Sequence, residues 1–433
     1  MDCLKTYSIV GIGALLHFLV DGLCICSLYL MVYPFNVSQF VSYFVLYNVL
    51  AFLTQPLTGY LVDRLEHKHW ILLASMLLLT LATGFTTISQ NGLSSMNAIV
   101  ISVLLGIGNS MFHVWGGQQV AVQTGNDIRS LGVFVSTGAL GLAVGAVFFS
   151  WWMLYGFLLA ACLLSIKAIR TLLRPLPIRD GSIYSQGGDA GKSFFSVFVI
   201  VVMAVVALRA WLCEDVTADI ERTQTMVLLL GFTAMLGKAF GGFLCKWIGL
   251  LWAVILMVAG TVACYLLPQT SYLLPLIALF FVNCTMPVTL WLANVLLPQR
   301  EGLAFGLLAA ALMPGYLLTN FTLVTFLVPL VCTIIIELGV LYFLRERRAK
   351  VLWASVAINV ITNIPLNWLV FSEWIFDLTT LLLAEIIIII IEAFWYFCFV
   401  RRWKQAFVYG ILCNTISFLV GLLFIFIYYI VIV

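Results

Sequence analysis

Residues 55 to 64 read QPLTGYLVDR, and residues 238 to 246 read KAFGGFLCK. The two stretches end the second and the eighth long apolar segments of the chain, and aligning Gly59 with Gly242 brings their polar positions into register. This likeness indicates an internal duplication with a period of six segments. Parallel repeats of this kind build many secondary transporters.

The composition excludes a soluble protein. Of the 433 residues, 64% are hydrophobic and 9% are charged, whereas soluble domains are about 45 to 50% apolar and about 25% charged. At about 20 apolar residues per membrane-spanning helix, the apolar runs predict about 15 spans. The net charge of +3 is too even to indicate nucleic-acid binding, and the 11 cysteines, nearly all in apolar segments, are read as buried thiols.

The spacing of polar breaks predicts four parts in an all-α polytopic membrane protein. Residues 1–174 form a six-helix half, residues 193–345 form a second one, and residues 346–433 form a three-helix membrane extension. Residues 175–192, which are polar and glycine-rich, form a flexible linker between the two halves. We therefore expect two parallel halves that enclose a central cavity.

The basic residues predict the orientation of the chain. With the N-terminus inside, only Arg222 of the 21 lysines and arginines lies in an outside loop, while Arg209 and Lys238 lie within spans. The positive-inside rule favours this orientation, with the linker in the cytoplasm. Fifteen spans then leave the C-terminus outside.

The first testable prediction concerns this topology. A reporter that is active only in the cytoplasm, fused to Val433, should give no signal, because an odd number of spans places the C-terminus outside. A strong signal would mean an even number of spans.

The stretch Gly59 to Arg64 resembles the loop 2–3 signature of the major facilitator superfamily. Within that superfamily, residues 1 to about 345 most resemble the fosmidomycin-resistance type of efflux transporter. The likeness includes a histidine followed four residues later by aspartate in span 1, here His17 and Asp21, and Gln-Pro before the loop signature. Span 4 matches in the stretch GIGNSMFH that ends at His113, but the family continues with proline where this chain has Val114.

The resemblance implies proton-coupled efflux of a small amphipathic or anionic compound from a bacterial cell by alternating access. It implies a monomer in the cytoplasmic (inner) membrane whose partners are its substrate, protons and the lipid bilayer, with no cofactor, no resident metal and no enzymatic activity. An importer or a lipid flippase on the same fold remains an alternative, and so does a membrane-embedded sensor or enzyme. No GxxxxGK[ST] motif for ATP occurs in the sequence.

Three ionisable residues in the first half are predicted to meet inside the membrane. His17 lies about 15 Å from the cytoplasmic end of span 1, and His113 lies about 12 Å from the inner end of span 4. Asp21 is one turn from His17 on the same helix face. Ionisable groups at this depth face a cavity or the bundle interior, and histidine titrates near neutral pH. The group can therefore exchange protons; structural hydrogen bonds and metal ligation are the alternatives.

Other predicted cavity residues come from both halves: Gln55, Arg209, Lys238, Trp115, Trp211 and Trp291. Arg209 occurs in Arg-Ala-Trp, which resembles Arg-Ser-Trp of the efflux family. Lys238 is expected to pair with a carboxylate such as Asp215 or Glu337, or to bind an anionic substrate. The tryptophans can stack on an aromatic substrate, with interfacial anchoring as the alternative.

A conformational latch is predicted at the two repeated stretches. Its residues are Gly59, Asp63, Arg64, Gly242 and Lys246. Gly59 permits close helix approach, and Asp63 can cap the N-terminus of a neighbouring helix. Family analogy makes that neighbour span 11, which begins near Gly302. Because Lys246 replaces the acidic residue in the second repeat, the latch is expected to be asymmetric.

The extension carries polar residues at helical spacing. They are Asn359, Asn363, Asn367, Glu385, Glu392 and Asn414. Asn359, Glu392 and Asn414 lie at one depth, about 12 to 14 Å from the cytoplasmic ends of spans 13 to 15. We interpret these residues as a polar seam that holds the three helices together, with an ion or proton site as the alternative.

Overall fold

The computed structural model describes residues 2–32, 37–89, 94–172, 192–267, 271–317, 323–371 and 378–432. Within these ranges the chain is helical and contains no β-strand. Apart from Lys192, the predicted linker lies outside the described residues.

The described residues form eighteen helices, which fall into two compact units, residues 1–316 and 317–433. The helices up to the predicted linker are α1 Asp2–Val32, α2 Val37–Leu53, α3 Gln55–Arg64, α4 His69–Ile88, α5 Ser95–Thr124, α6 Ile128–Val147 and α7 Trp151–Leu172. The next group is α8 Lys192–Asp215, α9 Gln224–Ile248, α10 Leu250–Leu266, α11 Leu273–Cys284, α12 Met286–Leu296, α13 Glu301–Ala310 and α14 Leu312–Leu317. The last four are α15 Leu323–Phe343, α16 Ala349–Phe371, α17 Leu378–Val400 and α18 Trp403–Ile432.

Three of the predicted spans are each divided into two helices. The break between α2 and α3 precedes Pro56, that between α11 and α12 precedes Pro287, and that between α13 and α14 precedes Pro314. Proline has no N–H donor and its ring crowds the preceding turn, so a helix is interrupted just before it. A proline thus follows the division in each of the three spans.

Nine segments of the described chain are long and apolar enough to cross a membrane. They include α1, α4, α5, α6, α7, α9 and most of α17, together with two pairs of helices taken as one, Val41–Arg64 and Leu273–Leu296. The multi-pass architecture is that expected from the sequence. The count of fifteen spans and the orientation stay predictions.

In the first unit, α1 lies at the centre of the helices that precede the linker. It packs against α5, α6 and α7, and α6 in turn packs against α9. Glycines make the contact between α1 and α6 close: a side chain at Gly141 would overlap the carbonyl oxygen of Phe18, and one at Gly145 would overlap that of Gly22. Short residues at such contacts let helix backbones approach in a membrane.

The second unit consists of α15 to α18. The four helices share a small apolar core around Leu341, Tyr396 and Tyr409. Helix α15, which the sequence analysis assigned to the second six-helix half, packs here against α16 and α18. The compact unit thus begins before the predicted extension, whose boundary at residue 346 stays a prediction.

A polar contact closes the turn between α15 and α16. The Glu346 carboxylate accepts hydrogen bonds from the backbone and guanidinium of Arg348, and the Tyr409 hydroxyl of α18 donates to it at 2.9 Å. The Arg348 guanidinium lowers the pKa of the Glu346 carboxyl from its ordinary value to about 2. A lowered carboxyl pKa stabilises the fold above the ordinary pKa of glutamate, and the contribution is lost as the pH falls towards 2.

Candidate functional site

The first unit contains a cavity of about 110 Å³ between helices from both sides of the predicted linker. Its polar lining consists of His17, Asp21, Gln55, His113, Arg209, Lys238, Thr289 and Tyr316. Most of the remaining lining residues are apolar, among them Phe52 and Phe305. A largely apolar cavity with a few converging polar groups is typical of a small-molecule site.

One wall of the cavity carries the Asp21 cluster, formed by Asp21, His17 and His113. The Nε2 atom of His17 lies 3.3 Å from one carboxylate oxygen, and the Nε2 atom of His113 lies 3.4 Å from the other. The two imidazole rings are nearly perpendicular, with centroids 4.4 Å apart. Asp21 is only 6% exposed, so the two histidines supply its nearest positive charge when they are protonated.

The hydrogen-bond partners of the two histidines show that the Asp21 cluster can hold extra protons. The Nδ1 atom of His17 lies 2.8 Å from the carbonyl oxygen of Phe134, and that of His113 lies 3.0 Å from the carbonyl oxygen of Asn109. A carbonyl oxygen can only accept, so both Nδ1 atoms carry hydrogen. Each Nε2 atom then faces a carboxylate oxygen with a lone pair, unless a proton lies between them. One added proton turns one of these contacts between Nε2 and the carboxylate into a hydrogen bond, and a second proton does the same for the other contact.

Two residues of the cluster's surroundings were missed in the sequence. Asn109 donates its side-chain amide to Asp21 at 2.9 Å, and its backbone accepts from His113. Gly138 of α6 lies directly against the cluster, where a side chain would overlap Asp21 and His17. Asn109 could have been found from its position one turn before His113 on α5. Nothing in the sequence indicates Gly138, because only the packing of the helices brings α6 against the Asp21 cluster.

The Asp21 cluster also has the donors of a metal site. One ligand atom from each of the three side chains can be chosen so that all lie within 4.8 Å of one another. Imidazole and carboxylate suit zinc and other transition metals, and Nδ1 atoms held by carbonyl groups are typical around metal-ligating histidines. The three residues therefore can hold either protons or a divalent metal ion.

Two basic side chains lie on the lining contributed by α8 and α9. Arg209 is 6% exposed and donates from Nη1 to the hydroxyl oxygen of Thr289 at 3.2 Å. Within the described first unit, no carboxylate lies within ion-pair distance of Arg209 or Lys238. The predicted pairing of Lys238 with Asp215 is therefore not seen. A buried cation without a carboxylate favours an anionic ligand, because an unpaired charge is costly to bury.

The three tryptophans predicted at the cavity are not among its lining residues. Trp115, Trp211 and Trp291 each follow a lining residue by two positions. Two residues turn about 200° around an α-helix, so neighbours at this spacing lie on opposite faces. Trp115, for example, is buried beside Phe112 in the core. Gln55 does line the cavity, and its buried side-chain oxygen has no hydrogen-bond partner.

The predicted latch residues lie at a close contact between α3 and α13. Asp63 accepts hydrogen bonds from the backbone N–H groups of Gly302 and Leu303, both at 2.8 Å, at the start of α13. A side chain at Gly59 would overlap the backbone of Gly302. Arg64 instead lies over the ring of Tyr60, 4.2 Å from its centroid.

The second copy of the repeat makes a similar contact without the carboxylate. A side chain at Gly242 of α9 would overlap the backbone of Ile128 at the start of α6. Lys246, at the position equivalent to Asp63, is exposed and has no carboxylate within ion-pair distance in the described chain. The two contacts thus share their glycines and differ in their charge.

The predicted seam residues of the second unit fall into two hydrogen-bonded groups. Glu392 is contacted by Thr362 at 2.9 Å and by the amide of Asn414 at 2.7 Å. Asn359 donates to Glu337, which the sequence analysis did not place in the seam. Glu385 and Asn363 lie on α17 and α16, and the side chain of Asn367 lies outside the described residues.

A second prediction tests the packing around the Asp21 cluster. Gly138→Ala should destabilise the protein by about 1 to 3 kcal/mol, because overpacking a closed site forces its neighbours apart. The matched control is Gly156→Ala in α7, where nothing lies within 4 Å of an added methyl group. Thermal unfolding of purified protein measures both. Equal melting temperatures for the two variants would contradict the packing.

Comparison with known proteins gives a structural likeness. No family model and no curated protein sequence matches the chain. Among solved structures, a variant of the E. coli fucose:proton symporter aligns with 71% of this chain and 90% of its own, with a TM-score of 0.52 and 11% identity. Two structures of a bacterial homologue of the iron transporter ferroportin in an outward-facing state, one with soaked iron, cover 84% and 85% of this chain and 99% and 98% of their own. Their TM-scores are 0.49 and 0.48, with 14% identity in both cases.

The likeness to the symporter shows the fold. Over the aligned part, the described chain shares the all-helical fold of the symporter, which confirms the all-α polytopic fold class predicted from the sequence. At 11% identity the likeness does not extend to substrate or direction.

Proposed function

We propose that the chain is a proton-coupled secondary transporter of a small anionic or amphipathic compound in a bacterial inner membrane. The observation that supports this most is the pairing, in one cavity, of an Asp/His/His cluster that can hold extra protons with two basic side chains that have no carboxylate partner. The first feature serves coupling and the second serves binding.

Coupling follows from the change of charge at Asp21. With both histidines neutral, the cluster carries one negative charge; with one added proton it is neutral, and with two it is positive. The cluster and the substrate site line the same cavity, where low dielectric strengthens electrostatic effects. Protonation therefore changes how strongly an anion is held near Arg209 and Lys238.

Efflux is the direction that the resemblance to the fosmidomycin-resistance type implies. A proton–anion importer is the second candidate, and the charges of the cavity favour it specifically. Each proton taken up by the Asp21 cluster removes repulsion towards an anion, so proton and anion tend to bind together. Joint binding moves the proton and the anion across the membrane in the same direction, whereas efflux by exchange requires that the two bind alternately.

The experiment that tests the proposal is a transport screen with the purified chain in lipid vesicles. A pH gradient of either sign is imposed, and accumulation of small organic anions, with amphipathic neutral and cationic compounds as comparison, is measured against empty vesicles. We expect accumulation that depends on the gradient and prefers anions. Absence of gradient-dependent movement for every class would contradict the proposal, and the sign of the effective gradient decides between efflux and import.

A chelator distinguishes protons from a metal at the Asp21 cluster. If protons are the coupled ion, treatment with a strong divalent-metal chelator should leave the rate unchanged. A rate that falls with chelator and returns with added zinc would assign the cluster to metal binding.

A third prediction concerns the latch, for which we propose a role in alternating access. Asp63→Asn should raise amide hydrogen exchange at Gly302 and Leu303 by roughly 10- to 100-fold, because each hydrogen bond to a charged group contributes about 1.5 to 3 kcal/mol. The control is Asp127→Asn at the start of α6, since Asp127 makes no cap hydrogen bond. Unchanged exchange at Gly302 and Leu303 would show that this contact does not hold the helices together.

A further inference from the structure

The second unit contains a buried pair of carboxylates that the transport mechanism does not use. Glu337 of α15 is fully buried and Glu392 of α17 is 1% exposed. They face the same groove: the Tyr396 hydroxyl, one turn from Glu392 on α17, lies 3.4 Å from Glu337 Oε2. On α16, Asn359 contacts Glu337, and Thr362, three residues later, contacts Glu392.

Within the described helices of the second unit, the only basic residues are Lys350 and Lys404, which lie in the first turns of α16 and α18 and are exposed. Residues 323–343, 351–400 and 405–432 contain no lysine, arginine or histidine. The other titratable groups that interact with the pair are Glu385, Tyr396 and Cys413, none of which carries a positive charge. Two unneutralised carboxylates among apolar helices would be strongly unfavourable, so the pair must hold either protons or a bound cation.

The hydrogen bonds around the pair favour protons over a cation. Glu337 Oε1 and Asn359 Oδ1 are both buried acceptors without a donor. The groups that contact the carboxylates turn hydrogens towards them: the amides of Asn359 and Asn414 donate to Glu337 and Glu392. A cation site of the calcium or sodium kind needs several converging oxygens instead. Amide hydrogens would repel the ion.

Each carboxyl has a place for a proton. Glu337 Oε1 receives no hydrogen bond from the described chain, so this oxygen is free to carry a hydrogen. Thr362 Oγ1 lies 2.9 Å from both Glu392 Oε1 and the carbonyl oxygen of Ile358. Since the hydroxyl hydrogen can go to the carbonyl oxygen, the hydroxyl oxygen can accept a hydrogen bond from a protonated Glu392.

We propose that Glu337 and Glu392 form a proton-binding site in the second unit, distinct from the Asp21 cluster and neutral near neutral pH. The ligand is the proton itself, and the site releases it in alkaline solution. The inference does not depend on the proposed transport function. It assigns to the extension a titrating site in place of the purely structural seam that the sequence favoured.

Infrared spectroscopy of the full chain in lipid tests the proposal directly. Protonated carboxyls have an acid carbonyl stretch that ionised carboxylates lack. Near neutral pH, the difference spectra of wild type against Glu337→Gln and Glu392→Gln should each show loss of one acid band. Alkaline pH should convert both bands into carboxylate bands in wild type, and the one remaining band in each variant. Glutamine keeps the size and the hydrogen-bonding ability of the protonated side chain, so both variants are expected to fold.

A second measurement on unmodified protein guards against variants that fail to fold. Dicyclohexylcarbodiimide attacks protonated carboxyls in apolar surroundings, and peptide mass spectrometry locates the adduct. We expect adducts on Glu337 or Glu392 near neutral pH, fewer at alkaline pH, and none on Glu346, which is paired with Arg348. The proposal is overturned if wild type shows no acid band assignable to the pair, or if sodium in place of choline converts the acid bands to carboxylate at constant pH.

Discussion

Replacing Asp21 with asparagine should reduce gradient-driven transport by at least about 100-fold, while exchange of substrate across vesicles without a pH gradient survives. Asparagine keeps the size of the side chain but removes the charge that binds the protons of the Asp21 cluster. An interaction of two charge-assisted contacts at about 1.5 to 3 kcal/mol each accounts for an effect of this order. The measurement compares accumulation under an imposed pH gradient with counterflow at equal pH.

The matched control for Asp21→Asn is Asp219→Asn, which makes the same chemical change at an exposed position outside the helices. It should transport like wild type. If Asp21→Asn keeps full gradient-driven transport in folded protein, the Asp21 cluster is a structural contact. The coupling carboxylate must then be sought elsewhere, with the Glu337–Glu392 pair as the first place to test.

Removing the positive charges of the cavity should have the second largest effect. Arg209→Gln and Lys238→Gln should each weaken binding of an anionic substrate by roughly 10- to 100-fold, because each removes one charge-assisted contact. The double variant should lose more than either single variant. Apparent affinity, taken from the substrate dependence of transport, is the quantity to measure.

Two comparisons separate binding from folding in these variants. Arg222→Gln removes an exposed arginine that pairs with Glu214, and it should leave affinity unchanged. An uncharged analogue of the substrate should be affected much less than the anion by Arg209→Gln. Equal loss for the anion and the analogue would show that Arg209 supports the structure of the cavity and does not bind the charge.

Several features of the site could be predicted from the sequence because they depend on spacing along one helix. His17 and Asp21 are four residues apart, so any helix brings them together, and the depth of His113 followed from its distance to the end of span 4. The contact of Asp63 with the start of α13 was expected from the family resemblance, and the structure places the residue there. The prolines at which three spans divide were visible in the sequence too.

Other features depend on which face each helix turns to its neighbours. Asn109 and Gly138 were missed at the Asp21 cluster, and the three tryptophans predicted at the cavity are not among its lining residues. Glu337 was considered as a partner for Lys238, whereas the structure places it beside Asn359. In each case the sequence shows the residue, but it does not show which residue of another helix lies beside it.

The sequence by itself determined that the chain is a helical multi-pass membrane protein, because apolar content and helical spacing are local properties of the chain. Only the tertiary structure decided which polar groups meet. In soluble proteins an apolar stripe shows which side of a helix is buried, but here most helices are apolar on all sides, so the sequence contains little information on their rotation. That rotation is set by close backbone contacts such as those at Gly59, Gly141 and Gly242, which depend on segments far apart in the chain.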